Sequence, residues 1–312
     1  MKCAVVDIGS NTVRFSLYHV YDSGRFETLF TKKVMAGLAG YVENGVLNED
    51  GINKACAILQ DYQFLIRQVP VDILSVFATA SLRNITNTLE VLDIVKRRTG
   101  IQIQVLSGKE EAELDYYGVI SGYSFSDGLI FDIGGGSTEL VKVKNSEMKQ
   151  VESISIGSLN LFHNFISDIW PEKKELKIMK KQISSEMKKT ICCDYKTDKI
   201  CGIGGTVRAA ARLLNHMQNN KKEKNHFPAS DFLKLADKLA EGDTDLKKLV
   251  LKICPDRIHT IIPGIFIIRE IIRQTSCSCI CISGYGVREG YLCKHILEPG
   301  FQNAKSIWKN EA

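Results

Sequence analysis

One eleven-residue pattern occurs twice in the 312-residue chain and constrains its fold more than any other feature. VVDIGSNTVRF at residues 5–15 aligns with IFDIGGGSTEL at residues 130–140. Both copies carry an apolar run followed by Asp-Ile-Gly, which pairs Asp7 with Asp132, Ile8 with Ile133 and Gly9 with Gly134. One Asp-Ile-Gly would be chance, whereas two at the start of similarly ordered halves indicate an internal duplication.

Hydrophobic periodicity predicts the same order of elements after each copy. Three strands come first in both halves, and helices and strands then alternate. The first helix should begin near residue 49 with Asn48 as its N-cap, and the helix predicted for 87–98 should end at Gly100. This order is typical of an α/β protein.

The duplication also sets the expected domain boundaries. A stretch rich in Ser and Gly at 122–128 is the predicted linker and hinge. We therefore expect an N-terminal domain at 1–124 and a C-terminal domain at 125–299, with a helix at 300–312 that could rejoin the first domain. Each half is long enough to bury a core of its own.

The composition is that of an ordinary soluble enzyme, with 44% hydrophobic residues, 25% charged residues and a net charge of +5. The first apolar run reaches Asp7 too early for a signal peptide, and no window approaches 18 apolar residues. We expect a cytoplasmic protein with no membrane contact. The mild positive charge permits an anionic partner without requiring one.

Ten cysteines raise the question of disulfides or a metal site. Cys277, Cys279 and Cys281 alternate along a predicted strand, so their side chains share one face and do not surround an ion. The remaining cysteines lack the C-x-x-C spacing of metal or redox sites. Reduced, buried thiols are the expected state.

The glycine-rich turn that begins at Asp132 has the composition of a phosphate-binding loop. Its three consecutive glycines let the backbone turn tightly with converging N–H groups, and hydroxyls stand beside them. An ordinary hairpin turn is the alternative, but it needs only one or two glycines and no flanking carboxylates. The turn that begins at Asp7 has the same character. The candidate substrate-binding residues of both turns are Ser10, Asn11, Thr12, Arg14, Gly134, Gly135, Gly136, Ser137 and Thr138.

Two further glycine clusters follow predicted strands. In GIGGTVR at 202–208 the glycines begin a helix, a position where backbone N–H groups bind anions. Tight strand–helix packing explains the same glycines equally simply. SGYGVREG at 283–290 leaves the same two interpretations open. The first cluster adds Gly204, Gly205, Thr206 and Arg208 to the candidate substrate-binding residues.

Acidic and basic residues supply the remaining candidates. LSGKEEAEL at 106–114 reads as a helix start, where the helix dipole favours acidic residues without any function, yet one of them could activate water. Arg83 follows a strand on a predicted loop and could clamp a phosphate or form a surface ion pair. The lysine-rich stretches 173–189 and 221–224 are either solvated surface or a landing surface for a polyanion.

In this order, these segments resemble the exopolyphosphatase / guanosine pentaphosphate phosphohydrolase family. The resemblance extends through eight motifs at 7–14, 78–87, 106–114, 132–140, 153–161, 202–209, 256–264 and 283–290. It implies two ribonuclease-H-like domains of the actin / hexokinase / heat-shock-protein-70 superfamily, with the substrate in a cleft between them.

The resemblance also implies roles for single residues. Glu111 matches the general base that activates water, and Arg83 matches a phosphate-clamping arginine. Catalytic roles thus fall to Glu111, Arg83 and Glu139, and Asp7, Asp132 and Glu139 are the expected metal ligands. The implied cofactor is Mg²⁺, with K⁺ as a stimulating ion.

Two segments depart from the family pattern. Glu113 stands where the family usually has a basic residue, a charge reversal next to the site that could alter chain-length preference. Residues 32–38 also differ from the family's usual sequence. Because the chain lacks the His-Asp motif of longer members, it resembles the short, two-domain class.

The expected activity is exopolyphosphatase, which removes terminal phosphate from linear polyphosphate. Guanosine pentaphosphate 5′-phosphohydrolase is the alternative within the enzyme class, and no residue separates the two. The sequence also leaves open a kinase of the same superfamily and a non-catalytic polyphosphate or alarmone sensor. The expected partner is polyphosphate or guanosine pentaphosphate and not nucleic acid, and a homodimer is one state the sequence allows.

Overall fold

The computed structural model describes residues 1–193, 195–220 and 222–297. Its chain divides into two units, one of Met1–Ser121 together with the described residues from Val287 onward, and one of Gly122–Gly286. Each unit is built on its own sheet. The helix expected at 300–312 lies outside the described residues.

Unit 1 contains seven strands and five α-helices in its described part. The strands are β1 (Lys2–Ile8), β2 (Thr12–Val20), β3 (Phe26–Met35), β4 (Val42–Glu43), β5 (Val46–Leu47), β6 (Ile73–Ala78) and β7 (Gln104–Val105). The helices are α1 (Glu49–Gln68), α2 (Ala80–Arg83), α3 (Thr88–Thr99), α4 (Gly108–Gly122) and α11 (Val287–Tyr291), with a 3-10 turn at Leu38–Tyr41 and a π-helical turn at Leu292–Ile296.

Unit 2 contains six strands and six α-helices in its described part. The strands are β8 (Gly128–Ile133), β9 (Thr138–Lys144), β10 (Glu147–Ile154), β11 (Lys199–Ile203), β12 (His226–Pro228) and β13 (Cys279–Ile282). The helices are α5 (Ser158–Phe165), α6 (Lys173–Met187), α7 (Gly204–Met217), α8 (Ala229–Glu241), α9 (Thr244–Ile253) and α10 (Ile258–Thr275), with a 3-10 turn at Pro255–Arg257.

The two sheets have the same topology, which confirms the duplication. Unit 1 has the order β3-β2-β1-β6-β7, and unit 2 has β10-β9-β8-β11-β13 with β12 added at its edge. In each sheet the opening strand pairs antiparallel with the second strand and parallel with the fourth. This 3-2-1-4-5 order confirms the predicted ribonuclease-H-like α/β fold. It also places Asp7 and Asp132 at corresponding ends of their strands.

Apolar side chains pack on both faces of the unit 1 sheet. On one face Val6, Ile8 and Phe15 pack with residues of α1 and α3. On the other face Tyr18 and Phe77 pack with residues of α4 and α11. In unit 2 the principal core lies between the helices and one face of the sheet. Phe131 of β8 points into this core, and all six helices, α5 to α10, contribute side chains to it. These cores fix the strand ends that carry the candidate site.

Local sequence signals predicted several helix boundaries correctly. The side chain of Asn48 accepts a hydrogen bond from the Gly51 N–H and caps α1. Gly100 ends α3 in the left-handed conformation, with φ 72°. Three details differ from expectation: Arg83 ends the short helix α2 and does not lie on a loop, the strand predicted at 101–106 is reduced to β7, and β4 and β5 form an unpredicted small hairpin.

The observed division places residues 287–297 with unit 1, although the sequence assigned them to the second domain. The reason is a set of polar and apolar contacts with the first sheet. Tyr18 of β2 donates a 2.5 Å hydrogen bond to Glu289, and Gly290 lies so close to α4 that a Cβ atom there would stand 1.8 Å from the Leu114 carbonyl oxygen. The first boundary, at 121/122, lies near the expected 124/125.

All ten cysteines are free thiols, and eight of them are buried. Burial raises the pKa of both Cys192 and Cys293 to about 12, so thiolate is scarce at neutral pH. We expect a thiol reagent at pH 8 to modify only the partly buried Cys193 and Cys279 in the native protein, and all ten in denaturant. Rapid native labelling of more than two thiols, counted by mass spectrometry, would contradict this packing.

Within the described residues, no helix is both long enough and apolar enough to span a membrane.

Candidate active site

The two Asp-Ile-Gly turns adopt the same backbone arrangement. The Gly9 N–H donates to the Thr12 carbonyl at 3.0 Å, and the Gly134 N–H donates to the Ser137 carbonyl at 3.0 Å. Each turn joins the two antiparallel strands that open its unit. The sequence repeat is therefore a repeat of loop geometry. We call residues 9–12 the first loop and residues 134–137 the second loop.

The first turn of α5 holds the carbonyl groups of the second loop. Ser158 donates its N–H to the Gly134 carbonyl at 2.9 Å, and the N–H groups of Leu159 and Asn160 donate to the Gly135 carbonyl at 2.9 and 3.1 Å. The Asn160 side-chain amide donates to the Gly136 carbonyl at 3.2 Å. All three glycine carbonyls thus point towards α5, which fixes the orientation of the peptide planes.

The first loop is anchored in the same way by the segment that follows β3. The N–H groups of Ala36 and Gly37 donate to the Asn11 carbonyl at 3.0 and 2.9 Å. The Ala39 N–H donates to the Ser10 carbonyl at 3.0 Å. The first turn of α5 in unit 2 and residues 36–39 in unit 1 therefore both hold the carbonyl groups of a loop.

Anchoring the carbonyls leaves amide donors on the opposite side of each loop. Among the described residues, no protein acceptor receives the N–H of Gly135 or Gly136, or that of Ser10 or Asn11. Gly136 and Ser10 are nevertheless buried. Buried backbone N–H groups are almost always hydrogen-bonded, so these donors indicate sites for an external acceptor such as a phosphate oxygen.

Two carboxylates flank the second loop. Asp132 at the end of β8 is the register partner of Glu139 on β9, so both side chains lie on the same face of the sheet. Glu139 is only 1% exposed and accepts a 2.7 Å hydrogen bond from the Ser153 hydroxyl. Asp132 is partly exposed and lies against Gly204, whose φ of 87° and crowded Cβ position require glycine.

The sequence did not identify Arg257 as a site residue, although it lies in the family motif at 256–264. Its guanidinium covers Gly205, where a Cβ atom would stand 2.1 Å from Nη2. Burial lowers the Arg257 pKa, an effect that the nearby carboxylates of Asp256 and Asp132 oppose. The start of α7 thus brings Gly204 and Gly205 to Asp132 together with the partly buried Arg257 cation.

Three predicted substrate-binding side chains contact the protein itself. Thr138 is fully buried and donates its hydroxyl to the Ile156 carbonyl at 2.5 Å. Thr206 is 1% exposed and packs against Gly264 of α10. Arg208 donates to the Ser283 carbonyl at 3.5 Å. Their contacts stabilise the strands and helices around the second loop.

In unit 1, Arg83 and Glu111 form an ion pair. Arg83 Nη1 lies 2.8 Å from Glu111 Oε2 and also donates to the Leu106 carbonyl at 3.0 Å. The two side chains are 19% and 12% exposed, so the pair remains accessible from solvent. Arg83 thereby fixes the direction of the Glu111 carboxylate at the start of α4.

The neighbouring glutamates of α4 have different partners. Glu110 and Ser107 form a reciprocal cap, in which Ser107 N–H donates to Glu110 at 2.7 Å and hydrogen bonds from Ser107 lower the Glu110 pKa. Glu113 pairs with Lys294 at 2.7 Å. The charge reversal noted in the sequence is therefore balanced inside unit 1. Only Glu111 among these three pairs with a predicted site residue.

Asp7 lies in a polar cluster on one face of the unit 1 sheet. It is the register partner of Arg14, and Arg288 of α11 donates to Ser16 on the same face. Burial raises the Asp7 pKa, while the charges of Arg288 and Arg14 act to lower it. The sequence assigned no role to Arg288, because only the return of residues 287–297 to this sheet brings it near Asp7.

Comparison with known proteins agrees with this arrangement. The model of the Ppx/GppA phosphatase family matches residues 19–298. The chain belongs to this family. Exopolyphosphatase 1 of Mycobacterium tuberculosis is 23% identical over 304 residues, covering 95% of this chain and 88% of that protein. A bifunctional 3-dehydroquinate synthase/phosphatase of Fusobacterium nucleatum is 28% identical over 296 residues, covering 90% of this chain and 44% of that protein.

Solved structures show the same fold. A Ppx/GppA family member of Aquifex aeolicus has a TM-score of 0.79 and 27% identity, covering 96% of this chain and 98% of that chain. An exopolyphosphatase of Cytophaga hutchinsonii has a TM-score of 0.82 and 22% identity, with the same coverage. Membership in the Ppx/GppA family makes the chain a phosphoric anhydride hydrolase and confirms the resemblance seen in its motifs.

The Ppx/GppA family implies a metal-dependent phosphatase. Within the described residues, no three His, Cys, Asp or Glu side chains are placed together to enclose an ion. Mg²⁺ is commonly held by one or two carboxylates plus water and substrate phosphates. Asp132 and Glu139 on one sheet face fit that pattern, and an oxygen-only pair suits Mg²⁺ better than Zn²⁺.

The raised pKa of Asp7 has a consequence for the stability of this Ppx/GppA protein. A carboxyl whose folded pKa exceeds its unfolded value contributes stability at low pH that is lost as the pH rises through the folded pKa. Asp7→Asn should therefore raise Tm at pH 7 in EDTA, by about 2–4 °C for each kcal/mol gained. The difference in Tm between Asp7→Asn and wild type should shrink as the pH is lowered towards about 4. If thermal melts gave a lower Tm for Asp7→Asn than for wild type at pH 7, the ionised Asp7 carboxylate would not destabilise the fold.

Proposed function

We propose that this protein is an exopolyphosphatase that releases terminal phosphate from linear inorganic polyphosphate with the help of Mg²⁺. The observation that carries the proposal is the pair of identically folded loops, each with fixed carbonyls and amide donors that have no protein acceptor among the described residues. Two phosphate-binding loops suit a substrate with consecutive phosphates. The curated relatives called exopolyphosphatase support the same reaction.

The proposed reaction is attack of water on the terminal phosphorus. Glu111 accepts a proton from the water, the new P–O bond forms, and the bridging P–O bond to the next phosphate breaks. The products are orthophosphate and a chain shorter by one unit. Arg83, expected from the sequence to clamp phosphate, is proposed to direct the Glu111 carboxylate through their 2.8 Å contact.

The loops are proposed to stabilise the charge on the phosphate oxygens. N–H groups of the second loop, with Arg257 beside Gly205, hold oxygens as negative charge develops, and losing one such donor commonly lowers rates about 10²–10³-fold. Ser10, Asn11 and Arg14 of unit 1 hold a further phosphate. Mg²⁺ bound by Asp132 and Glu139, with Asp7 as the third proposed ligand, would neutralise oxygen charge.

One assay tests the proposal. Phosphate release should be measured from long polyphosphate, tripolyphosphate and guanosine pentaphosphate in parallel, with Mg²⁺ or EDTA. We expect the largest kcat/KM for long polyphosphate and loss of activity in EDTA. A larger kcat/KM for guanosine pentaphosphate would assign the alternative activity of the family. Formation of ADP from ATP and an alcohol would indicate a kinase instead.

A further inference from the structure

A stripe of lysines runs along α6 of unit 2. Residues 172–189 contain seven lysines and three glutamates, a net charge of +4 in a chain whose total is +5. The helix buries Leu176, Met179, Ile183 and Met187 against the core. At 3.6 residues per turn, four of the lysines on the side away from that buried face lie within an arc of about 60°. This lysine stripe consists of Lys174, Lys177, Lys181 and Lys188.

The stripe is exposed and has no acidic counterpart. All four lysines are exposed, and none has an ion-pair partner within 4 Å in the part of the chain that the structure describes. The glutamates of this helix face elsewhere: Glu175 and Glu172 form the capping box, and Glu186 pairs with Lys189. Like charges at i, i+3 and i, i+4 disfavour a helix, so the stripe is costly unless an anion neutralises it.

The stripe suits a flexible phosphate chain better than other anions. It spans about 21 Å along the helix axis, from 14 residues at 1.5 Å each. It carries no aromatic side chain on which a base could stack, and the helix's large apolar side chains mostly face the core rather than solvent. Lysine ammonium groups bind phosphate as point charges and need no fixed geometry.

The stripe is connected to the second loop through adjacent helices. α5, whose first turn holds the loop carbonyls, packs against α6. We propose that the lysine stripe is an accessory site that holds the uncleaved part of a long polyphosphate chain, an inference that rests on the proposed function. It predicts tighter binding of long chains than of short ones. The second lysine-rich stretch, 221–224, begins outside the described residues, and the proposed accessory site does not include it.

The test compares two fourfold variants with equal charge changes. The stripe variant carries Lys174→Gln, Lys177→Gln, Lys181→Gln and Lys188→Gln, and the control carries Lys234→Gln, Lys238→Gln, Lys248→Gln and Lys252→Gln on the exposed sides of α8 and α9. Direct binding of long polyphosphate and turnover of long polyphosphate and tripolyphosphate are measured between 50 and 300 mM salt. Circular dichroism checks that both variants fold.

We expect the stripe variant to bind long polyphosphate at least tenfold more weakly at about 100 mM salt. Its slope of log affinity against log salt should fall by about 0.7 for each lysine that contacts phosphate. Tripolyphosphate turnover should stay within twofold of wild type, and the control should match wild type throughout. An equal loss in the control, or unchanged long-chain binding, would overturn the proposal.

Two further outcomes separate the inference from the proposed function. If a single-stranded oligonucleotide of equal charge displaces polyphosphate from the stripe equally well, the assignment to a phosphate chain is wrong. If wild type binds long polyphosphate through the stripe but releases no phosphate, the accessory site stands and the proposed activity fails. If wild type releases phosphate and the stripe variant binds long polyphosphate as tightly as wild type, the proposed activity stands and the accessory site fails.

Discussion

Glu111→Gln should lower kcat for phosphate release by about 10²–10⁴-fold while leaving KM and Tm close to wild type. Glutamine keeps the shape of the side chain and can still accept the hydrogen bond from Arg83, but it is not a base. The 2.8 Å ion pair is replaced by a hydrogen bond from the cationic Arg83 guanidinium to a neutral amide oxygen, so the expected stability change is about 1 kcal/mol. Steady-state kinetics and a thermal melt measure both effects.

Glu110→Gln is the matched control, because it changes the neighbouring carboxylate on the same helix. Glu110 caps α4 through Ser107, so its loss should lower Tm slightly and leave kcat within about threefold. If Glu111→Gln retained kcat within threefold of wild type, Glu111 would not be the base. Glu139, buried beside the second loop, would then be the better candidate.

Gly157→Ala should lower kcat/KM by about 10²-fold through displacement of the second loop. A Cβ atom at this position would lie 2.2 Å from the Gly135 carbonyl oxygen and 2.5 Å from the Gly136 carbonyl carbon. Gly157 itself has φ −116° and ψ 154°, which alanine adopts readily. The loop must therefore move away from α5, and its amide donors move with it.

The control for this substitution is Gly284→Ala, where an added Cβ atom meets nothing within 4 Å. It should leave kcat/KM unchanged. Overpacking at Gly157 is expected to cost about 1–3 kcal/mol, so folding is checked by a thermal melt before the kinetics are compared. Full activity of a folded Gly157→Ala protein would mean that the amides of the second loop do not hold the reacting phosphate.

The parts of this fold that the sequence predicted depend on local signals. Asn48 and Gly100 mark helix ends through hydrogen bonds and a backbone conformation confined to a few neighbouring residues. The repeated Asp-Ile-Gly turn is likewise local, so its two copies predicted two equivalent loops and two equivalent sheets. Apolar runs and alternation predicted where the strands lie along the chain, because each strand buries a defined face.

The parts that were missed depend on contacts between distant residues. Arg257 and Arg288 become neighbours of Asp132 and Asp7 only after the chain has folded back. The pairing of Glu113 with Lys294 spans 181 positions, so the sequence showed a charge reversal and not its compensation. The sequence also does not reveal that the Thr138 hydroxyl donates to the Ile156 carbonyl, 18 positions away.

The return of residues 287–297 to unit 1 constrains the order in which the protein is made. Unit 2 is one continuous stretch, whereas unit 1 lacks α11 until residue 287 has been synthesised. Tyr18 must wait for Glu289, 271 positions later, for its hydrogen-bond partner. At 5–20 residues per second, the ribosome needs roughly 10–30 s to add unit 2 after the first sheet has emerged. During translation the face of the N-terminal sheet that α11 covers therefore stays incomplete until unit 2 has been synthesised.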